Sequence, residues 1–145
     1  MNIYFACSIT GGRKDEDVYT AIVSALLEQG HHIPTAGLAD SRVIQLEGGV
    51  DPVEVYERDT GWIRDCEVLI AEVSTPSHGV GYEIGYALQL SKPVICLYQK
   101  RTIVSKMILG NKDPNIESFG YEWVQEAIDF VHVRLAKMAQ GKILS

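Results

Sequence analysis

The chain has 145 residues, 46% of them hydrophobic, and a net charge of −6 from 13 basic and 19 acidic side chains. This composition fits one globular domain over residues 1–145 with a substantial core. With no basic cluster beyond Arg13-Lys14 and Lys100-Arg101, and no apolar run near the ~20 residues of a membrane span, it excludes nucleic acid polymers and membranes as expected partners.

In chain order, Ile3–Cys7 is a continuous apolar run, the pattern of a central parallel strand covered on both faces. The chain reaches it almost at once, so no signal peptide is expected. Cys7, Cys66 and Cys96 are odd in number and scattered, and they read as buried free thiols in a reducing cytoplasm. Ser8–Arg13 breaks the strand. A helix is expected from Asp15 to Gln29 on the stripe Val18, Ile22, Val23, Leu26 and Leu27, with Gly30 as its stop. His31–Ile33 reads as a short second strand. Neighbours on a strand point to opposite faces, so His31 and His32 do not chelate one ion. His78 and His132 stand alone, and no metal site or cofactor is expected.

Residues 34–50 read as a loop that is long for a compact domain, and long loops are often functional. Asp51 then caps a helix with Pro52 at its first position, Glu54 placed to close a capping box, and an end near Asp65. Val68–Val73 is the third strand. The turn 74–78 leads into a helix opening at Gly79 and running to about Leu90. Pro93–Tyr98 is the fourth strand, Thr102–Leu109 a short helix stopped by Gly110, and Ile116–Phe119 a fifth strand. The last helix is expected from Glu122 to Ala139, with Val124, Ala127, Ile128, Val131 and Leu135 on one face. Strands alternating with helices favour right-handed crossovers and a parallel sheet. The expected architecture is therefore a flavodoxin-like, Rossmann-like three-layer α/β sandwich of five parallel strands, order 2-1-3-4-5. Its switch point would gather the loops 8–13 and 74–79 into one crevice.

Several side chains at that crevice carry chemistry. Glu83 is expected in the first turn of its helix, where the positive helix end favours an ionised carboxylate. It is either a nucleophile or a solvated carboxylate that stabilises its helix. Asp59 has Val55 four residues before it and Trp62 and Ile63 just after a turn, which places it on the sheet-facing stripe unless the helix is rotated. Tyr4 is a strand aromatic whose hydroxyl needs a partner. Ser8–Arg13 offers hydroxyls, glycine-freed amides and a guanidinium. That set is an anion cradle or a plain strand-to-helix turn, and it lacks the Gly-Lys-Ser/Thr ending of a Walker loop. The glycines at 79, 81 and 85 miss the dinucleotide spacing by one residue and follow the wrong strand. The end of the first strand lacks the acidic residue of a response-regulator receiver.

Taken together, Ile3-Tyr-Phe, Ser8-Ile-x-Gly-Gly-Arg13, Asp59 with Trp62, Ala71-Glu-Val73, Pro76-Ser77, Gly79-Val-Gly-Tyr-Glu83 and Ser105-x-Met107 resemble a known family. It is the 2′-deoxynucleoside 5′-monophosphate N-glycosidases of the nucleoside 2-deoxyribosyltransferase superfamily. The resemblance runs from about residue 2 to residue 130, residues 34–50 excepted. It implies that Glu83 attacks the anomeric carbon, Asp59 positions the sugar or assists proton transfer, and Tyr4 lines the sugar near C2′, where ribonucleotide-cleaving relatives carry phenylalanine. It implies that Ser8, Ile9, Thr10, Gly11, Arg13, Ser77 and Gly79 bind substrate. It further implies a homodimer in which Ser105, beside Met107, reaches the phosphate across the interface. Where the family has arginine and glycine, this chain has Thr10 and Cys7, so phosphate binding should weaken unless Arg13 or the partner compensates. The serine set favours the nucleotide hydrolase over a base-exchanging deoxyribosyltransferase. A CMP-type ribonucleotide N-glycosidase and a non-catalytic nucleotide-sensing module are the other readings.

Overall fold

The computed structural model describes residues 1–9, 14–40 and 42–143. Four parallel strands form one sheet in chain order: β1 (Ile3–Ala6), β2 (Val68–Glu72), β3 (Val94–Gln99) and β4 (Ile116–Tyr121). The registers are Ile3 with Val68, Leu69 with Val94, and Val94 with Ile116. β1 and β2 are buried along their whole length, which is why neither alternates in polarity.

The expected second strand at His31–Ile33 is not a strand, so the sheet has four strands among the described residues instead of five. That segment makes a single parallel bridge, Asn2 with His32, on the edge of β1 away from β2. There the Ile3 N–H donates to the His32 carbonyl at 2.8 Å, and the His32 N–H donates to Met1 O at 2.9 Å. The ladder stops because the next outward amide, Phe5 N–H, donates to the Thr35 hydroxyl at 3.0 Å instead of to a backbone carbonyl. The chain has already turned at Pro34.

The helices α1 (Glu16–Glu28), α2 (Val43–Glu47), α3 (Pro52–Asp65), α4 (His78–Gln89), α5 (Lys106–Leu109) and α6 (Val124–Ile143) complete the fold, with a 3₁₀ turn at Ala36–Ala39. Odd positions of β1 and even positions of β2 send Ile3, Phe5, Val68 and Ile70 to one face. There they pack with Tyr19, Ile22 and Leu26 of α1 and Ala127, Val131 and Leu135 of α6. Tyr4, Ala6, Leu69 and Ala71 pack on the other face with Ile63 of α3 and Val80, Ile84 and Ala87 of α4. The result is the three-layer sandwich that the alternating pattern predicts.

Local signals explain most boundaries. Gly30 ends α1 at φ 83°, a conformation that side chains with a Cβ avoid. Asp51 caps α3 by accepting from the Val53 N–H at 2.8 Å, with Pro52 at the first position; no reciprocal bond from Glu54 is present among the described residues. Residues 34–50 are not the open loop the sequence suggests. The 3₁₀ turn and α2 are too short to carry a periodic pattern, and both are held by burial of Ala39 and Val43. α5 is shorter than expected, and its cap is Ser105. The three cysteines are buried and form no disulfide, and burial pushes the Cys96 thiol up to about 12. No helix among the described residues is long and apolar enough to cross a membrane, and no cluster among them could hold a metal ion.

Candidate active site

The crevice lies at the carboxyl ends of β1 and β2, on the side covered by α3 and α4. Tyr4 has no exposed surface, and its hydroxyl donates to Glu83 Oε1 at 2.8 Å. This one bond ties β1 to α4 across 79 residues of sequence. Glu83 is not in the first turn of its helix, because α4 begins at His78 with Ser77 as its cap. One turn further in, the helix end no longer governs the carboxylate. Burial does: it pushes the Glu83 carboxyl up to about 7, with the Asp59 charge adding to the rise and the Tyr4 hydrogen bond opposing it. Tyr4 itself is driven far above its ordinary value, first by burial and then by the charges of Glu83 and Asp59, so it remains a donor.

Asp59 comes from α3, where Ile63 four residues on is fully buried. Its carboxylate is 14% exposed and faces the cavity. Burial raises its pKa, and the hydrogen bond from Arg58 Nε to Oδ1 at 2.8 Å opposes the rise. Two acids therefore share one crevice, each disfavoured as an anion by desolvation, and each with one hydrogen-bond donor among the described residues that restores part of the loss. Such a pair can hold one proton and one negative charge at neutral pH.

A cavity of about 430 Å³ opens over these groups. Asp59, Glu83, Ser77, Gly79, Ile9 and Glu47 are among its lining residues, and Val50, Pro52 and Val55 form an apolar wall. Tyr56 and Tyr82 stand half-exposed at its rim with their hydroxyls 3.3 Å apart. At the α4 end, Ser77 Oγ accepts from the Val80 N–H at 3.3 Å, which leaves the amides of His78 and Gly79 without intrahelical acceptors. A Cβ at Gly79 would meet only Ser77 Oγ, at 3.9 Å, and one at Gly81 would meet nothing within 4 Å. Packing does not demand glycine at either position.

The structure thus gathers Asp59, Ile9, Ser77, Gly79 and Glu83 at one crevice, while Tyr4 does not line it and reaches it only through its bond to Glu83. Ser8 is wholly buried at the end of β1. Thr10, Gly11 and Arg13 lie outside the described residues. Ser105 and Met107 do not line this cavity. They line a neighbouring hollow of about 680 Å³ between α4 and residues 103–111, which meets the first at Ser77 and Val80. Sequence reasoning misses Glu47, Arg58, Tyr56 and Tyr82. Tyr56 sits one turn before Asp59 and Tyr82 next to Glu83, so position along the helices could have flagged both. Glu47 belongs to a segment with no readable period.

The profile described as nucleoside 2-deoxyribosyltransferase matches residues 3–125. The chain is 41% identical over 118 residues to the 5-hydroxymethyl-dUMP N-hydrolase of Mus musculus, covering 77% of this chain and 66% of that protein. It is 40% identical over 134 residues to a Methanosarcina mazei protein that carries the name 2′-deoxynucleoside 5′-phosphate N-hydrolase 1, covering 90% and 83% respectively. In three dimensions it resembles a CMP N-glycosidase from Clostridium botulinum, with TM-score 0.69 over 91% of this chain and 98% of that one. At 19% identity this is a likeness of fold.

Proposed function

Because this chain belongs to the nucleoside 2-deoxyribosyltransferase family, we propose that its crevice hydrolyses the N-glycosidic bond of 2′-deoxynucleoside 5′-monophosphates. The observation that carries this reading is the Tyr4–Glu83 bond, which aims a buried carboxylate into a cavity shared with Asp59. Two relatives named for N-hydrolysis of such nucleotides, at 40% and 41% identity, support it.

In the proposed reaction the Glu83 carboxylate attacks C1′ while the C1′–N bond breaks. In the reactive form the single proton shared by the two acids sits on Asp59, which gives it to the departing base. Water then attacks C1′, its proton returns to Asp59, and 2-deoxyribose 5-phosphate leaves with Glu83 restored. Tyr4 holds the nucleophile in place and fills the space beneath C2′. Ser8, Ile9, Thr10, Gly11, Arg13, Ser77 and Gly79 are assigned to the substrate, with the phosphate at the open amides of α4. Because Ser105 and Met107 line the adjoining hollow, a homodimer is proposed in which Ser105 of one subunit serves the phosphate of the other. Ile103 and Met107, 93% and 84% exposed, would be covered in it.

The test is a panel of deoxyribonucleoside and ribonucleoside 5′-monophosphates with the matching nucleosides, following free base and sugar phosphate. Unphosphorylated nucleosides should lose roughly 10³-fold in kcat/KM, because the phosphate donors are then left unpaired. Equal cleavage of nucleosides, or base exchange outpacing hydrolysis when a second base is added, would favour the transferase instead. Binding without turnover would leave a sensing module.

A second prediction concerns Tyr4→Phe. It removes the hydrogen bond that holds the Glu83 pKa down, so that pKa should climb above about 7. The acid limb of the pH–rate profile then moves to higher pH, and activity at pH 6 falls by about 10-fold or more. An unmoved limb would separate Glu83 ionisation from the rate.

A further inference from the structure

We propose that Arg58 is a positioning residue: its guanidinium clamps the cavity wall at Glu47 to Asp59, so that closing the wall and aiming the acid are one event. The inference rests on the reading above, in which Asp59 acts on the substrate.

The geometry is a fork with every tine used. Arg58 Nη1 and Nη2 donate to the two oxygens of Glu47 at 3.0 Å each, and Nε donates to Asp59 Oδ1 at 2.8 Å. One face of the guanidinium lies over Trp62, 5.0 Å from the ring centroid. Adjacent residues on a helix do not face each other, so an Arg58–Asp59 bond is not a default of α3. The side chain must fold back along its own helix, and the anchor at Glu47 holds it there. The three side chains are 28%, 19% and 14% exposed, sheltered enough for the bonds to be stronger than those of surface pairs.

Glu47 closes α2, a five-residue helix that cannot hold itself by propensity. Burial of Val43 pins its first residue, and the clamp pins its last. Glu47 and Val50 both line the cavity, so the position of this segment shapes the wall. On the other side, the bond to Oδ1 fixes the rotation of the Asp59 carboxylate and leaves Oδ2 for the cavity. Lysine offers a point charge and cannot make this bidentate-plus-one pattern. In consequence a change at Glu47 reaches Asp59 without touching it.

The experiment uses Glu47→Gln, Arg58→Lys and the double variant, with two independent readouts. The first is amide hydrogen exchange of residues 43–50 in the free protein, with the β2 and β3 amides as the control for folding. The second is kcat and KM on deoxynucleoside 5′-monophosphates. Each single variant should speed exchange over 43–50 by roughly 5-fold and lower kcat by roughly 10-fold with a smaller change in KM, and the double variant should match a single one, as for groups acting as one unit. The clamp is refuted if exchange at 43–50 is unchanged in both single variants. It is refuted equally if Glu47→Gln keeps wild-type kcat while Arg58→Lys loses it, or if the two losses multiply. Should the wild type release no base at all, the proposed reaction fails, and the exchange data still decide whether Glu47 and Arg58 act as one.

Discussion

Glu83→Gln is expected to abolish base release while making the protein more stable than wild type at pH 8. The first half follows from the nucleophilic role proposed for it. Without the carboxylate no bond to C1′ forms, and kcat should fall by roughly 10³-fold or more. The second half follows from burial, which sets the Glu83 pKa at about 7, above the 4.5 of an ordinary glutamate. A carboxyl whose folded-state pKa is raised favours the folded state while protonated. That contribution is complete below about pH 4.5 and is lost as pH rises through about 7. At pH 8 the wild type has given up on the order of 3 kcal/mol that a glutamine, which does not titrate, keeps. Thermal melts should therefore show the variant gaining on wild type by roughly 5–10 °C between pH 4.5 and pH 8. An inactive variant with no such pH-dependent gain would mean that Glu83 is not the desolvated acid the structure places beneath the cavity.

Asp59→Asn should cost about 10²–10⁴-fold in kcat on nucleotides whose base leaves poorly, the usual range for loss of a general acid. Asparagine keeps an acceptor for Arg58 Nε, so the fold and the clamp should survive. The loss should shrink for a 7-methylated purine nucleotide, whose base is already cationic and needs no proton. A second sign follows from the charge. The Asp59 anion helps to raise the Glu83 pKa, so its removal should lower that pKa and extend the residual activity toward acid. This is the opposite of the shift expected for Tyr4→Phe. A uniform loss across bases with no shift of the acid limb would reduce Asp59 to a sugar-binding group.

Much of the layout is legible in the sequence because burial on two faces leaves a plain mark. The apolar runs at Ile3 and Val68 mark strands covered on both faces, although β1 ends up at the margin of the four-stranded sheet rather than inside it, and the crossover rule then brings Tyr4 beside the helix that carries Glu83. The Asp51-Pro52 start of α3 is read from capping chemistry alone, and with it the placement of Asp59. What the sequence hides is decided by single contacts. His31–Ile33 has strand-like neighbours, yet one hydroxyl, Thr35 on the Phe5 amide, ends the pairing after one bridge. α2 is five residues long, shorter than any window in which a helical period can be counted. The Glu47–Arg58–Asp59 fork joins groups whose meeting depends on how that segment folds back. The start of α4 at His78 rather than Gly79, and with it the depth of Glu83, turns on the cap at Ser77. From composition alone Glu83 is an anion at a helix end. From the structure it is an acid poised near neutrality.

The central claim is that the Glu83 carboxylate becomes covalently attached to the sugar. The most direct measurement is mass spectrometry of the protein quenched during turnover of a deoxynucleoside 5′-monophosphate bearing a 2′-fluorine, which slows release of the intermediate. The account predicts a peptide containing Glu83 that is heavier by the fluorinated deoxyribose 5-phosphate group, with one equivalent of base released. Stoichiometric base release with no modified peptide, or an adduct on a residue other than Glu83, would contradict it.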